Sequence, residues 1–331
     1  MKKRIISVLL ATVFALSVIG CGTKDTKEQD AYRQYGITCM ESGKYEDAVK
    51  AFQNALGESI GHIGEKELDI CFYKAKAQAL DGKTKDALAT YNAIIKYNKD
   101  ARAYYLRGDL YMDMGEEKKG RADFESAVQQ GKKNYEIYIG IYESLSRHEK
   151  KDEGQKYLSA AMEIKGDKPE DELYKGRISY LLGENKDAIS YLEKAKEHKQ
   201  MLASYYLGLA YDANGDSDKA KKCIAEYIKS GVATSYDLYE LGMQEMQDGN
   251  YKNALTYFNS GLELEKVPNK QNLMKSAIAA YEYSGDFDSA KKMMKEYLKA
   301  YPDDEEAKHE NTFLELSLIH ISEPTRQEAI S

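Results

Sequence analysis

The chain contains no tryptophan, four prolines, five histidines and four cysteines among 331 residues. Each scarcity excludes something. Pro169, Pro268 and Pro302 stand far apart, so the stretches between them are free to be helical, and each falls where a helix must stop. Cys39, Cys71 and Cys223 have neither C-x-x-C nor metal-ligand spacing, and an odd count builds no complete disulfide framework. Packed free thiols are expected, with a Cys39–Cys71 bridge as the alternative. His62, His148, His198 and His309 are scattered and form no H-E-x-x-H pair. No G-x-x-x-x-G-K-[ST] loop and no G-x-G-x-x-G turn occurs. Neither metal nor cofactor is therefore expected, and the chain reads as a non-enzyme. Beyond Ile19 no apolar run is long enough to cross a membrane. The net charge is −7, and −9 over residues 21–315, so no general counterion-release drive favours nucleic acid.

What the chain does have is a repeated pattern. Ala48, Ala87, Gly120, Gly154, Ala188, Ala220, Ala254 and Ala290 follow one another at intervals of 39, 33, 34, 34, 32, 34 and 36 residues. Four residues after each comes a large apolar one: Phe52, Tyr91, Phe124, Leu158, Leu192, Ile224, Phe258 and Met294. Residues four apart share a helical face, so the small residue admits a neighbouring helix and the large one fills the space beside it. A second small site lies twelve residues earlier at Gly36, Ala75, Gly108, Gly176, Gly208 and Gly242, and fails at Tyr142 and Ile278. A turn glycine recurs at Gly43, Gly82, Gly115, Gly183, Gly215, Gly249 and Gly285, with Glu149 the exception. A period near 34 signals a stacked helical array.

These residues resemble the tetratricopeptide repeat family, whose pattern includes L-G-x2-Y, A-x3-F and a later proline. Tyr206-Leu-Gly-Leu-Ala-Tyr211 with Ala220, and Tyr281 with Ala290 and Pro302, carry the likeness best. The resemblance covers residues 30–302. It implies an all-α solenoid of about eight helix-turn-helix repeats in a right-handed superhelix, with the first helix of each repeat on the concave face.

Both ends read differently. Lys2, Lys3 and Arg4 precede an apolar core, Ile5 to Ile19, and Val18-Ile19-Gly20-Cys21 resembles a bacterial lipobox. That resemblance implies a signal peptide over 1–21 and lipid on Cys21. The protein would then be held to the bacterial cell membrane on its outer side, or to the periplasmic face of an outer membrane. Residues 22–29 read as a polar tether. Residues 303–315 read as the start of a further helix cut short. Leu316 to Arg326 resembles the translation of a sequencing-library adapter, so residues 316–331 are expected to be non-native.

Two short matches to catalytic motifs fail on context. Gly57-Glu-Ser-Ile-Gly61 spells G-x-S-x-G, but it joins two helices and not a strand to a helix. Ser289-Ala-Lys-Lys292 spells S-x-x-K without the companion motifs, on the second helix of a repeat.

The resemblance directs attention to the first helices. Aligned, one inward position reads Phe72, Tyr105, Ile139, Leu173, Tyr205 and Tyr239 in six consecutive repeats. A neighbouring line includes Met112, Tyr180 and Met246, and another Asp109, Glu143 and Arg177. Rigid tyrosine beside adaptable methionine is what a peptide-binding groove would show. The Lys and Asn set of the chaperone-tail-binding members is missing. The expected function is a membrane-anchored scaffold that binds protein or peptide partners of the cell envelope. A glycan or small-ligand receptor, or the non-catalytic part of an enzyme, is the alternative.

Overall fold

The computed structural model describes residues 26–59, 63–166 and 168–321. Cys21 with the segment before it, His62, and the tail after Ile321 lie outside those residues. Eight helical hairpins follow one another. They are α1 (Thr26–Glu41) with α2 (Tyr45–Gly57), α3 (Glu65–Leu80) with α4 (Thr84–Asn98), α5 (Ala101–Asp113) with α6 (Glu117–Gln130), and α7 (Tyr135–Arg147) with α8 (Lys151–Met162). Then come α9 (Pro169–Leu182) with α10 (Asn185–Glu197), α11 (Leu202–Ala213) with α12 (Ser217–Lys229), α13 (Ser235–Gln247) with α14 (Tyr251–Leu262), and α15 (Lys270–Tyr283) with α16 (Phe287–Ala300). A last helix, α17 (Glu305–Ile321), packs on α16. Among the described residues there is no strand, and the expected all-α solenoid of eight hairpins is what forms.

In repeats one, three, five, six and seven a first-helix glycine meets a large side chain of the second helix. A Cβ placed on Gly36 would lie 2.6 Å from the Phe52 ring, and one on Gly176 2.4 Å from Leu192. On Gly208 it would lie 2.4 Å from Ile224, and on Gly242 2.2 Å from Phe258. Phe52, Leu192, Ile224 and Phe258 are all buried, so the missing Cβ is what lets the two helices approach.

The turn between the helices repeats as well. Gly43, Gly82, Gly115, Gly183, Gly215, Gly249 and Gly285 all have φ between 70° and 83°. In every hairpin the amide of the following residue donates to a carbonyl five residues back, as from Lys44 to Cys39 and from Asp216 to Tyr211, both at 2.8 Å. That is the Schellman closure, and it requires one left-handed residue. Glu149 supplies it at φ 62° in the fourth repeat, where a side chain makes that conformation costly.

Hairpins stack through shared cores. Phe124 of repeat three packs with Ile137, Ile141 and Leu145 of repeat four, and Phe258 of repeat seven with Leu273 and Ala277 of repeat eight. First helices touch one another directly, α5 to α7 and α9 to α11 among them. Second helices bridge instead through long side chains, such as Arg121 to both oxygens of Glu153 at 2.8 and 3.0 Å. The closer spacing on the first-helix side makes that side concave. Coiling brings the first hairpin turn near repeat seven. Burial raises the Glu41 carboxyl, Lys266 opposes that rise, and Glu41 adds to the burial that keeps Tyr236 protonated.

Two boundaries differ from the sequence reading. Helix α1 starts at Thr26, so Thr26–Gln29 belong to the array and not to a tether over 22–29. The reason is Gln29: it is buried, and its Nε2 donates to Ser59 Oγ at 2.8 Å and to Glu67 Oε1 at 3.0 Å. At the other end α17 runs through residue 315 to Ile321. Its Ala307 and Leu314 bury against Met274, Ile278, Met294 and Tyr297.

Candidate functional site: the concave face

Helix geometry decides which first-helix residues face the groove. On α3 the buried residues Ile70, Ala75, Ala77 and Gln78 define the packed side. At 100° per residue, Asp69 and Lys76 fall opposite to it. The same offset selects Arg102, Asp109 and Asp113 on α5, and Glu136, Glu143 and Arg147 on α7. On α7 nearly everything else is buried.

The aromatic and aliphatic line expected to form an open groove leans toward the next repeat instead. Ile139 and Met112 are 1% and 2% exposed and Leu173 is buried, so these three are core and not groove residues. Tyr105 lies so close to the following hairpin that a Cβ on Gly140 would sit 2.6 Å from its ring. Tyr205 meets Tyr206 edge to face and Tyr227 at a tilt, with ring centres 5.1 and 5.3 Å away. Tyr239 lies 6.2 Å from Phe258, and Tyr180 and Met246 pack at the edges of core clusters. Phe72 is half-buried and covered by the Arg102 guanidinium at 4.5 Å. Its line is the joint between neighbouring repeats, and the physical reason is one of angle. A residue some 40° from the groove axis meets the neighbouring first helix before it meets solvent.

Asp109, Glu143 and Arg177 do lie on the groove floor, half-buried, and each is held in an ion pair. Arg147 Nη2 donates to Asp109 Oδ1 at 2.5 Å, joining α7 to α5. Arg177 Nη2 donates to Glu143 Oε1 at 2.9 Å, joining α9 to α7, while its guanidinium lies 5.4 Å from the centre of the Tyr206 ring on α11. Near the start, Arg33 of α1 grips Asp69 of α3 at 2.6 Å. A ladder of ion pairs thus runs along the floor and ties first helices together across repeats. Burial raises the Glu143 carboxyl even though Arg177 favours its ionised form. Asp113 is raised by burial and by the like charge of Asp109, against His148 at 3.3 Å.

Sequence reasoning missed the rest of this line. Four residues after the joint positions come Ile37, Lys76, Asp109, Glu143, Arg177, Leu209, Met243 and Ala279. Counting one further turn would have found them. Lys76 is half-buried, makes no ion pair or side-chain hydrogen bond, and burial lowers its ammonium. From repeat six onward the floor becomes apolar, with Leu209 and Met243 half-buried at the edges of core clusters.

Other candidate features resolve into structure. Ser59 accepts from Gln29 and donates to Glu67 at 3.3 Å, which ties the long loop between repeats one and two to its neighbours. Ser289 sits in the first turn of α16, its amide capped by Asp286 at 3.1 Å. Cys39, Cys71 and Cys223 are unbridged. A cleft of about 550 Å³ between α2, α3 and α4 is lined by Leu68, Cys71, Ile94 and Tyr97, away from the concave face.

The repeat unit is a closely packed helical hairpin with a Schellman turn and a small residue heading the second helix. A profile described as Tetratricopeptide repeat matches residues 36–95 and 74–135, and a second under the same description matches 202–230 and 271–304. The chain carries tetratricopeptide repeats. Tetratricopeptide arrays serve generally as scaffolds for protein–protein interaction, through the extended concave surface that stacking creates. Solved structures similar to the chain include a tetratricopeptide repeat protein from Parabacteroides merdae ATCC 43184, at 12% identity and a TM-score of 0.45, over 76% of this chain and 98% of that one. PilW, described as a widely conserved type IV pilus biogenesis factor, is similar at 18% identity and a TM-score of 0.42, over 63% and 97%. The APC/C hetero-tetramer Cut9–Hcn1 is similar at 16% identity and a TM-score of 0.42, over 88% and 57%. No curated protein matches the chain.

Proposed function

We propose that this tetratricopeptide-repeat chain is a lipid-anchored scaffold outside the cytoplasm that holds a protein segment in its concave groove. The observation that carries the groove reading is the division of its floor. The charges of repeats three to five are satisfied by one another, Lys76 of repeat two is left unpaired, and Leu209 and Met243 of repeats six and seven are half-buried. A floor of this kind favours a segment with an acidic group toward repeat two and apolar side chains toward repeats six and seven, because an unpaired cation and exposed apolar area both gain from being covered. The anchor reading rests on Val18 to Cys21.

Photo-crosslinkers at Leu209 and Met243 in intact cells should trap one envelope protein. Leu209→Asp with Met243→Asp should then weaken its capture at least tenfold, or about 1.4 kcal/mol. Recovery of oligosaccharide and no protein would support a glycan receptor and end the scaffold reading. Mass spectrometry of the amino-terminal peptide tests the anchor separately: a Cys21 without lipid removes it and leaves the groove reading intact.

A further inference from the structure

Charge divides unevenly over the outer surface of the array. On the second helices of the first five repeats, α2 to α10, eleven basic residues meet eleven acidic ones. On α12, α14 and α16 nine lysines meet four acids, and α14 has no acid at all. The first helices of the same repeats reverse the balance, with five acids against two lysines on α11, α13 and α15. Repeats six to eight therefore carry their excess of lysine on the outer helices.

These outer lysines are not neutralised within the molecule. Lys219 pairs with Asp216 at 2.8 Å, while the other eight form no ion pair. On α12 the buried residues are Ala220, Cys223, Ile224 and Tyr227, and Lys222 and Lys229 lie exposed on the opposite side. On α16 the buried residues are Ala290, Met294 and Tyr297, and Lys292, Lys295 and Lys299 form an exposed stripe at spacings of three and four. Asp288 and Glu296 are exposed on the same helix but form no ion pair with the stripe, which leaves its ammonium groups open to an external anion. All the basic side chains from Lys186 to Lys308 are lysine, with no arginine among them. Arginine suits bidentate recognition of a fixed carboxylate or phosphate, whereas lysine is a hydrated point charge that fits a diffuse field of anions.

We propose that the convex face of repeats six to eight docks on an anionic bilayer, with Lys222, Lys229, Lys292, Lys295 and Lys299 against the lipid phosphates. The net charge of −9 does not prevent this. Screening over about 8–10 Å confines the interaction to the facing side, where lysines outnumber acids nine to four on the outer helices. The surface stands on its own lysines and needs no lipid on Cys21. With the anchor present it sets orientation, turning the groove away from the membrane.

The test uses the chain from residue 21 onward with Cys21→Ser, sedimented with phosphatidylcholine vesicles and with vesicles containing about one-third phosphatidylglycerol. The bound fraction should be at least about tenfold higher on the anionic vesicles and fall to the neutral level near 1 M salt. Lys292→Gln, Lys295→Gln and Lys299→Gln together should remove most of the gain, and the corresponding glutamates all of it. Lys151→Gln with Lys156→Gln, on the balanced outer helix α8, should leave it unchanged, with helical circular dichroism the same in every variant. Equal binding to both vesicles overturns the proposal. So does retention on heparin without vesicle binding, which would assign the face to a linear polyanion. A failed groove experiment would not alter either outcome.

Discussion

Tyr142 and Gly154 close the fourth hairpin with the glycine on the second helix and the large residue on the first. A Cβ on Gly154 would lie 3.1 Å from the Tyr142 Cα and 3.2 Å from its carbonyl oxygen. In repeats one, five, six and seven the glycine is on the first helix and the large residue on the second, and repeat three has both arrangements, Gly108 against Phe124 and Gly120 against Met112. In repeat four the large residue is on the first helix, and the close approach is kept. Gly242→Ala, with its Cβ placed 2.2 Å from the buried Phe258 ring, should cost roughly 1–3 kcal/mol by overpacking. Phe258→Leu should recover part of that loss in the double variant, which denaturant unfolding of the four-member cycle measures. Full additivity would mean the two residues do not share the contact.

The turn at Glu149 makes a prediction of the opposite sign. Its φ of 62° is one that glycine adopts freely and that a side chain resists. Glu149→Gly should therefore stabilise the array by about 1 kcal/mol, net of the greater freedom glycine has when unfolded. Thermal unfolding with no rise in midpoint would show that the residue is unstrained.

The pair formed by Glu143 and Arg177 should respond asymmetrically. Arg177→Met leaves a half-buried carboxylate that burial already penalises, and should cost about 2–3 kcal/mol. Glu143→Gln keeps an acceptor for the guanidinium and should cost roughly 1 kcal/mol or less. Equal losses would place the pair in solvent and not on a desolvated floor.

Lys76 gives a dependence on pH. Burial lowers its ammonium below the unfolded value of about 10.4, so between the two values the unfolded chain binds more protons than the folded one. Stability lost to this residue is lost in full below the folded value and is regained as pH rises through it. Lys76→Met should raise stability at neutral pH by about 1 kcal/mol and abolish that alkaline gain. The check is a comparison of unfolding midpoints at neutral and alkaline pH. A variant no more stable than the parent would mean that the ammonium is solvated.

Much of the fold was legible in the amino-acid order because a solenoid is built from local relations. The small residues from Ala48 to Ala290 and the turn glycines act within one hairpin, so their spacing alone set the helix pairs and their joints. The exceptions were legible too: Glu149 and Tyr142 broke the pattern at the positions where the backbone is strained and the packing reversed. What needed tertiary structure was everything measured between hairpins. Whether Ile139 or Glu143 meets solvent depends on a rotation of some 40° relative to the next first helix, and repeat periodicity is the same for both. Pairings such as Arg147 with Asp109 and Arg177 with Glu143 span 38 and 34 residues and follow from the stacking angle, which no single repeat encodes. Charge was likewise present in the composition as a single net value. Only the placement of second helices on the outside gathered the lysines of repeats six to eight into an outer face.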